Sequence, residues 1–88
     1  MKVVKLNSRF KRYREGYTHA MRWDRWDYQL VSPYEKYFVR VHGYHGYSSD
    51  KNAWFAGFGD TRDRVTKRRP YFIYVSSEHM ITAALLAV

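Results

Sequence analysis

Residues 70–88, PYFIYVSSEHMITAALLAV, carry the clearest structural signal in the chain and predict a strand followed by a helix. Residues 71–75 combine β-branched and aromatic side chains, with a proline only before them, which is typical of a buried strand. A serine then supplies a helix N-cap, and Glu78 falls in the first turn, where the helix dipole favours a negative charge. The rest of the fold is expected to be organised around this strand and helix.

The predicted terminal helix is apolar on more than one side. One stripe suits packing on a sheet, whereas Leu86 lies well off that stripe. The stripe consists of Ile81, Ala84, Leu85 and Val88. At about 1.5 Å per residue the helix spans roughly 16 Å, about half of a bilayer core, so no membrane span is expected. Homodimerisation through the helix and burial in an intramolecular core are the two interpretations that this pattern leaves open.

The composition predicts one small domain over residues 1–88. A chain of 88 residues with 45% hydrophobic content can form a single core and is too short for two. It contains no cysteine, which excludes disulfides and thiolate metal sites and favours a reducing compartment. No signal peptide is recognisable and no apolar stretch is long enough to span a bilayer, so a cytoplasmic protein is expected.

Positive charge and aromatic content are the strongest features of the composition. The net charge is +8, and it is uneven: residues 1–25 hold eight Lys/Arg against two acidic residues, residues 26–60 three against four, and residues 61–88 five against two. Nine Tyr, five Phe and three Trp make up 19% of the chain, more than a core of this size requires. Two basic clusters therefore flank a nearly neutral middle segment.

The N-terminal third of the chain predicts short elements. Residues 3–6 fit a first strand, and residues 9–15 fit one or two helical turns closed by Gly16 as a C-cap. In residues 17–31 the apolar positions fit both a two-residue and a 3.6-residue period. The many aromatic and few strong helix-forming residues favour strands there, with a helix as the alternative.

The middle of the chain predicts further antiparallel strands. Residues 28–42 suggest a β-hairpin, because Ser32-Pro33 suits the start of a type I turn between two β-rich runs. Residues 53–59 predict another strand, and residues 60–69 a long polar connection to the last one. Together these elements predict an α+β domain: an antiparallel β-meander of four to five strands with one C-terminal α-helix packed on the sheet.

Binding of a phosphate-bearing partner is the predicted function, with nucleic acid as the first choice. Aromatic rings can stack on bases while nearby Arg and Lys neutralise phosphates, as in sequence-tolerant single-strand binders. The predicted phosphate contacts are Arg9, Lys11, Arg12, Arg14, Arg64, Lys67, Arg68 and Arg69. The predicted stacking residues are Tyr13, Tyr44, Tyr47 and Trp54. Core aromatics and solvated basic runs are the structural alternative, and a nucleic-acid site requires the two basic clusters to share one continuous face.

Catalytic and metal-binding patterns are weak in this sequence. No HExxH, P-loop or nucleophile-elbow motif occurs. His42 and His45 with Asp50 could serve a metal only if a further ligand arrived by folding, so no metal or cofactor is expected. A metal-independent RNase is the least disfavoured activity, with those histidines beside Arg40 and Tyr44 as its reactive group. We expect a binding protein rather than an enzyme.

An acidic protein partner is the principal alternative to nucleic acid. Tyr, Trp and Arg are enriched at protein interface hot spots, which suits a small accessory or inhibitor protein of the phage or mobile-element type. The same features also suit sequestration of a small nucleotide. Salt dependence separates these classes, since phosphate neutralisation loses affinity steeply with ionic strength.

Overall fold

The computed structural model of the chain describes residues 1–45 and 53–88, in which helices cover a four-stranded sheet. The elements in chain order are β1 (Lys2–Lys5), α1 (Lys11–Arg14), β2 (His19–Trp23), α2 (Tyr28–His42), β3 (Trp54–Phe58), β4 (Tyr71–Val75) and α3 (Glu78–Ala87). The strands lie in the order β1-β2-β4-β3, and each neighbouring pair is antiparallel. None of the described helices is long and apolar enough to cross a membrane.

The antiparallel sheet with its helices confirms the predicted α+β class, whereas the predicted meander order is wrong. β4 lies between β2 and β3, so strands that follow each other through α2 are not neighbours in the sheet. Residues 72–75 are all buried, because β4 is central and apolar side chains cover it on both faces. This position explains why residues 71–75 form a continuous apolar run rather than an alternating one.

The predicted hairpin is also wrong, because both of its runs belong to one helix, α2. The sheet is therefore covered by α2 in addition to the predicted C-terminal helix. Asp27 caps this helix by accepting a hydrogen bond from the backbone N–H of Gln29 at 2.9 Å. Val31 and Phe38, two helical turns apart, are buried on one side. Pro33 lies inside the helix and is exposed. Capping and burial of a helical stripe therefore outweigh the turn preference of the proline.

The remaining predicted elements are confirmed. The strand preference for residues 17–31 is correct only for the five residues of β2, and α2 begins at Tyr28. α1 is a short turn of helix followed by Gly16, whose φ of 107° lies in the region that favours glycine. In α3, Ile81 and Ala84 of the predicted stripe are buried, whereas its other two members, Leu85 and Val88, are exposed. Leu86, off the stripe, is 85% exposed. Homodimerisation through this exposed side stays a prediction.

The sheet separates two apolar clusters, and we name each face of the sheet after the helices that lie on it. On the α2/α3 face, which those two helices cover, the strands contribute Met21, Trp23, Trp54, Ile73 and Val75. On the α1 face, the cluster consists of Leu6, Tyr17, Ala20, Phe72 and Tyr74, with Phe10 at the start of α1 packed against it.

Candidate functional site

A groove of about 400 Å³ opens near the end of the sheet where β4 begins. Three segments meet there: the connection between β2 and α2, the end of β3, and the connection between β3 and β4. The lining residues are Trp26, Phe58, Arg62, Lys67, Arg68 and Arg69. This basic groove therefore combines two aromatic rings with four cationic side chains.

The two rings of the basic groove are exposed, although their neighbours hold them in place. Trp26 is 46% exposed and Phe58 is 54% exposed. The ring of Tyr28 meets Trp26 edge-on, with 6.4 Å between the ring centroids. Tyr71 meets Phe58 in the same way at 5.0 Å. Each ring is thus supported on one side and leaves much of its surface open to a ligand.

Tyr71 anchors the wall that Phe58 forms. The two residues lie directly opposite each other in the register of β3 and β4. The Tyr71 hydroxyl donates a hydrogen bond to the carboxylate of Glu35 in α2. Burial, together with this hydrogen bond, raises the pKa of Tyr71, so the hydroxyl continues to donate at alkaline pH where an exposed tyrosine begins to ionise. The position of Phe58 therefore depends on its contact with Tyr71, which is in turn bonded to α2.

A turn organised by Asp63 shapes the cationic wall. Its carboxylate accepts hydrogen bonds from the backbone N–H groups of Val65 at 2.8 Å and Thr66 at 2.9 Å. Its backbone N–H donates to the carbonyl of Arg68 at 2.8 Å, and its carbonyl accepts from the N–H of Lys67 at 2.9 Å. The bonds from Thr66 and Val65 lower the pKa of Asp63. The ionised carboxylate thus closes the turn that carries the cations.

The four cations of the basic groove form no ion pair within the part of the chain that the structure describes. The ion pairs found there are Arg12–Glu15, His19–Glu78 and Arg22–Asp24. Arg62 instead donates a long hydrogen bond of 3.4 Å to the backbone carbonyl of Lys67. Guanidinium and ammonium groups without carboxylate partners are well suited to bind phosphate, because their donors and charge remain available.

The predicted phosphate contacts are divided between two places. The basic groove includes Lys67, Arg68 and Arg69, whereas Arg64 lies on the same connection outside the lining. The cluster around α1 consists of Arg9, Lys11, Arg12 and Arg14, of which Arg12 alone is partly buried. The Cζ atom of Arg12 lies 4.2 Å from the centroid of the Phe55 ring. Arg12 also lies 5.8 Å from the ring centroid of Tyr74, which places it over the α1 face.

Phe58, one wall of the basic groove, lies on the α2/α3 face of the sheet. It alternates along β3 with Trp54 and Ala56, which both pack into the cluster of that face. Its partner ring, Tyr71, is bonded to α2 and packs against the same cluster.

The turn of the cationic wall lies close to the α1 face as well. Besides the hydrogen bonds from Thr66 and Val65, the charge of Arg22 lowers the pKa of Asp63. The guanidinium group of Arg22 lies over Phe72, which belongs to the cluster of the α1 face. The grouping of the two basic clusters on one continuous face stays a prediction.

The predicted stacking residues differ in their exposure to solvent. Trp54 is 1% exposed, and its indole N–H donates to the carbonyl of Gly43 at 2.8 Å, so its predicted role as a stacking residue is wrong. Burial against α2 removes its ring from any ligand. Tyr13 and Tyr44 are exposed, but neither lines the basic groove. Tyr47 lies outside the described residues.

Sequence reasoning missed Trp26, Phe58 and Arg62. Trp26 stands among charged residues, DRWD at positions 24–27, a context that suits an exposed ring. Phe58 directly precedes the polar connection of residues 60–69, which also contains Arg62. Their approach depends on the position of β4 in the sheet, and no local pattern contains that information.

The histidines considered for metal binding or RNase chemistry take part in aromatic packing. His42 stacks on Phe38, with 5.8 Å between the ring centroids, and His45 meets Trp54 edge-on at 4.9 Å. Arg40 lies over the ring of Tyr37, which also meets the His42 ring edge-on at 6.4 Å. Asp50 lies outside the described residues. Within residues 1–45 and 53–88, no group of three or more His, Cys, Asp or Glu side chains is arranged to hold a metal ion.

The chain matches no family model, no curated protein and no solved structure. The function therefore has to be argued from the chemistry of the basic groove.

Proposed function

We propose that this chain is a non-enzymatic nucleic-acid-binding protein that holds single-stranded DNA or RNA in the basic groove. One observation supports this above all: two exposed rings, Trp26 and Phe58, share a groove with four cations that have no ion pair among the described residues. Bases stack on aromatic rings with a gain of about 1–3 kcal/mol each, and basic side chains track the phosphates.

A single strand fits this arrangement better than a duplex. Stacking on a protein ring requires an unstacked base, and the bases of a duplex are already stacked on each other. The volume of about 400 Å³ is in the range of small-ligand sites and suits one or two nucleotides at a time. Both rings accept any base, because every base has a flat aromatic face. We therefore expect weak sequence preference.

Fluorescence anisotropy with labelled mixed-sequence oligonucleotides tests the proposal. Single-stranded and duplex DNA and RNA are titrated at two salt concentrations, and single strands are expected to bind more tightly. Each phosphate neutralised on a single strand contributes about −0.7 to the slope of log K against log salt, so four groove cations predict a slope of about −3. Absence of binding at low salt would overturn the proposal.

Substitutions assign the binding to the basic groove. Trp26→Ala and Phe58→Ala are each expected to weaken single-strand binding by about tenfold, the effect of losing one base stack. Tyr44→Ala is the matched control, because this tyrosine is 84% exposed and does not line the groove. Equal losses in all three variants would show that the groove is not the site.

A small nucleotide is the alternative ligand that the same groove supports, since its rings and cations also suit one base with its phosphates. Competition separates the two ligands. A single strand that contacts several cations displaces the labelled probe at a far lower concentration than a nucleoside triphosphate does. Equal displacement by the two at the same concentration would favour the nucleotide.

A further inference from the structure

One row of residues crosses the whole sheet beside the basic groove. Lys2 on β1 lies directly opposite Arg22 on β2 in the strand register. Arg22 lies opposite Phe72 on β4, and Phe72 lies opposite Gly57 on β3. Phe72 belongs to the cluster of the α1 face, and residues directly opposite each other point to the same face, so this row lies on the α1 face. We call Lys2 and Arg22 the cationic row.

The next row along the strands contains a ring of the basic groove. Tyr71 immediately precedes Phe72 and lies directly opposite Phe58. Adjacent residues of a strand are about 3.3 Å apart along it, and their side chains point to opposite faces. Phe58 and the cationic row therefore lie at the same end of the sheet, one on each face.

The end of β3 carries no side chain on the α1 face. Gly57 and Gly59 flank Phe58, and a Cβ atom at these positions would lie 3.2 Å from the Phe55 ring and 2.8 Å from the Phe72 ring, respectively. Both of these rings pack in the cluster of the α1 face. A nucleic-acid strand that passes from Phe58 around this end of the sheet therefore meets no side chain of β3 on the way to the cationic row.

The turn that carries the groove cations is within electrostatic reach of the cationic row. Lys67 and Arg68 are joined to Asp63 by backbone hydrogen bonds of 2.9 and 2.8 Å. Hydrogen bonds from two backbone N–H groups of the turn are the main cause of the lowered pKa of Asp63, and the charge of Arg22 lowers it further. Positive side chains therefore follow one another from the groove to Arg22 and, through the strand register, to Lys2.

The cationic row has hydrogen-bond donors for a phosphate. Lys2 is exposed and forms no ion pair among the described residues. The Nε atom of Arg22 donates to Asp24 at 3.0 Å, and the guanidinium group lies over Phe72, with Cζ 5.8 Å from the ring centroid. Within the described part of the chain, one of its five N–H donors is used in this way, so the terminal nitrogens can bind phosphate oxygens.

We propose that a single strand bound in the basic groove continues around this end of the sheet onto the cationic row, where Arg22 and Lys2 bind its next two phosphates. The inference rests on the proposed function of the groove and extends it to a longer ligand. The groove alone suits one or two nucleotides, whereas single-strand-binding OB folds cover about 4–16. The cationic row lengthens the site towards that range.

The salt dependence of binding by short and long single strands tests this path. A four-nucleotide strand with a terminal phosphate carries one phosphate for each of the four groove cations, whereas an eight-nucleotide strand can also reach the cationic row. Two further phosphate contacts at about −0.7 each change the expected slope of log K against log salt from about −3 to about −4. The slope is the readout, because a longer strand gains affinity on any site from its additional binding registers, and that gain does not depend on salt.

Substitutions in the cationic row should affect the long strand alone. Lys2→Gln/Arg22→Gln is expected to return the slope of the eight-nucleotide strand to about −3 and to weaken its binding about three- to tenfold, while binding of the four-nucleotide strand changes less than about twofold. Lys36→Gln/Arg40→Gln removes the same charge from exposed positions of α2 and should keep the slope of about −4. Lys2→Gln alone, at an exposed position, should give about half of the change in slope, and circular dichroism checks the folded state of each variant.

The Nε–H signal of Arg22 in nuclear magnetic resonance spectra reports the contact directly. We expect the eight-nucleotide strand to shift this signal progressively to saturation and the four-nucleotide strand to leave it nearly unchanged. Saturating binding of the eight-nucleotide strand without a shift of this signal would contradict the proposed path.

Three further results would overturn the inference. Equal slopes for the two strand lengths would end the site at the groove and leave the proposed function intact. Equal losses for both strand lengths, or in both double variants, would assign the effect to general electrostatic attraction. No binding of either strand at low salt would reject this inference together with the proposed function.

Discussion

At the scale of single residues, neighbours decide whether an aromatic side chain supports the fold or is available for binding. Trp54 stacks on Phe38, with 5.5 Å between ring centroids, and is closed off by α2. Trp26 meets one ring edge-on and is otherwise open. The sequence around Trp26, DRWD, is charged, whereas Trp54 stands in the apolar run AWFAGF, and the topology then determines which neighbours each ring meets.

Alanine substitutions are expected to separate these two roles. Trp54→Ala should lower the free energy of unfolding by about 3–5 kcal/mol, because it leaves a large cavity in the core. Trp26→Ala should lower it by only about 1 kcal/mol, because the half-exposed ring has one edge-on aromatic neighbour, while weakening single-strand binding. Urea denaturation followed by circular dichroism measures both. Similar losses of stability in the two variants would contradict the assignment.

Replacing Asp63 distinguishes a structural role from a purely electrostatic one, because the two roles predict opposite changes in single-strand affinity. Asp63→Ala removes one negative charge from the surroundings of the groove, so electrostatics alone predicts tighter binding of a single strand. We expect binding about three- to tenfold weaker, since the two hydrogen bonds to the Val65 and Thr66 N–H groups no longer close the turn. Asp63→Asn keeps an acceptor oxygen and should retain more of the affinity. Tighter binding of the alanine variant would contradict this role.

The same carboxylate predicts how the turn responds to acid. Its pKa is lower in the folded chain than in the unfolded one, so its stabilising effect is complete above the unfolded pKa. That effect is lost as the pH falls through the lowered folded pKa. Amide exchange should therefore show weaker protection of the Val65 and Thr66 N–H groups at strongly acidic pH, and the Asp63→Ala variant should lack this change.

At the scale of elements, the sequence predicts a helix or strand best where the local pattern fits only one type of secondary structure. The run of residues 71–75 and the helix after it are such cases, and both are confirmed as β4 and α3. α2 was not predicted, because its aromatic residues also alternate and Pro33 resembles the second position of a turn. The groove was only partly predicted, since Lys67 to Arg69 form a visible basic run, whereas the rings beside them come from distant segments.

Pro33→Ala tests the helical assignment of residues 28–42. A proline within a helix costs about 3 kcal/mol relative to alanine, and the added freedom of the unfolded chain offsets about 0.4–1 kcal/mol of the gain on replacement. We therefore expect the variant to be more stable by about 2 kcal/mol in urea denaturation. A loss of stability would instead support a turn at this position. Lys36→Ala, at another exposed position of α2, is the control and should have little effect.

At the scale of the whole molecule, the fold places part of the positive charge beside two exposed aromatic rings. The net charge of +8 in 88 residues favours anionic partners in general, and the rings of the basic groove are what support nucleic acid as the proposed partner. The groove depends on β4, because its insertion between β2 and β3 puts Tyr71 directly opposite Phe58.

The most direct test of the central claim is a nuclear magnetic resonance titration of the three indole N–H signals with a mixed-sequence single strand. Trp26 is exposed in the groove, whereas Trp23 and Trp54 are buried in the core, so each chain carries one reporter and two internal references. We predict that the Trp26 signal shifts progressively to saturation while the other two signals move little. Saturating binding that leaves the Trp26 signal unchanged would contradict the account.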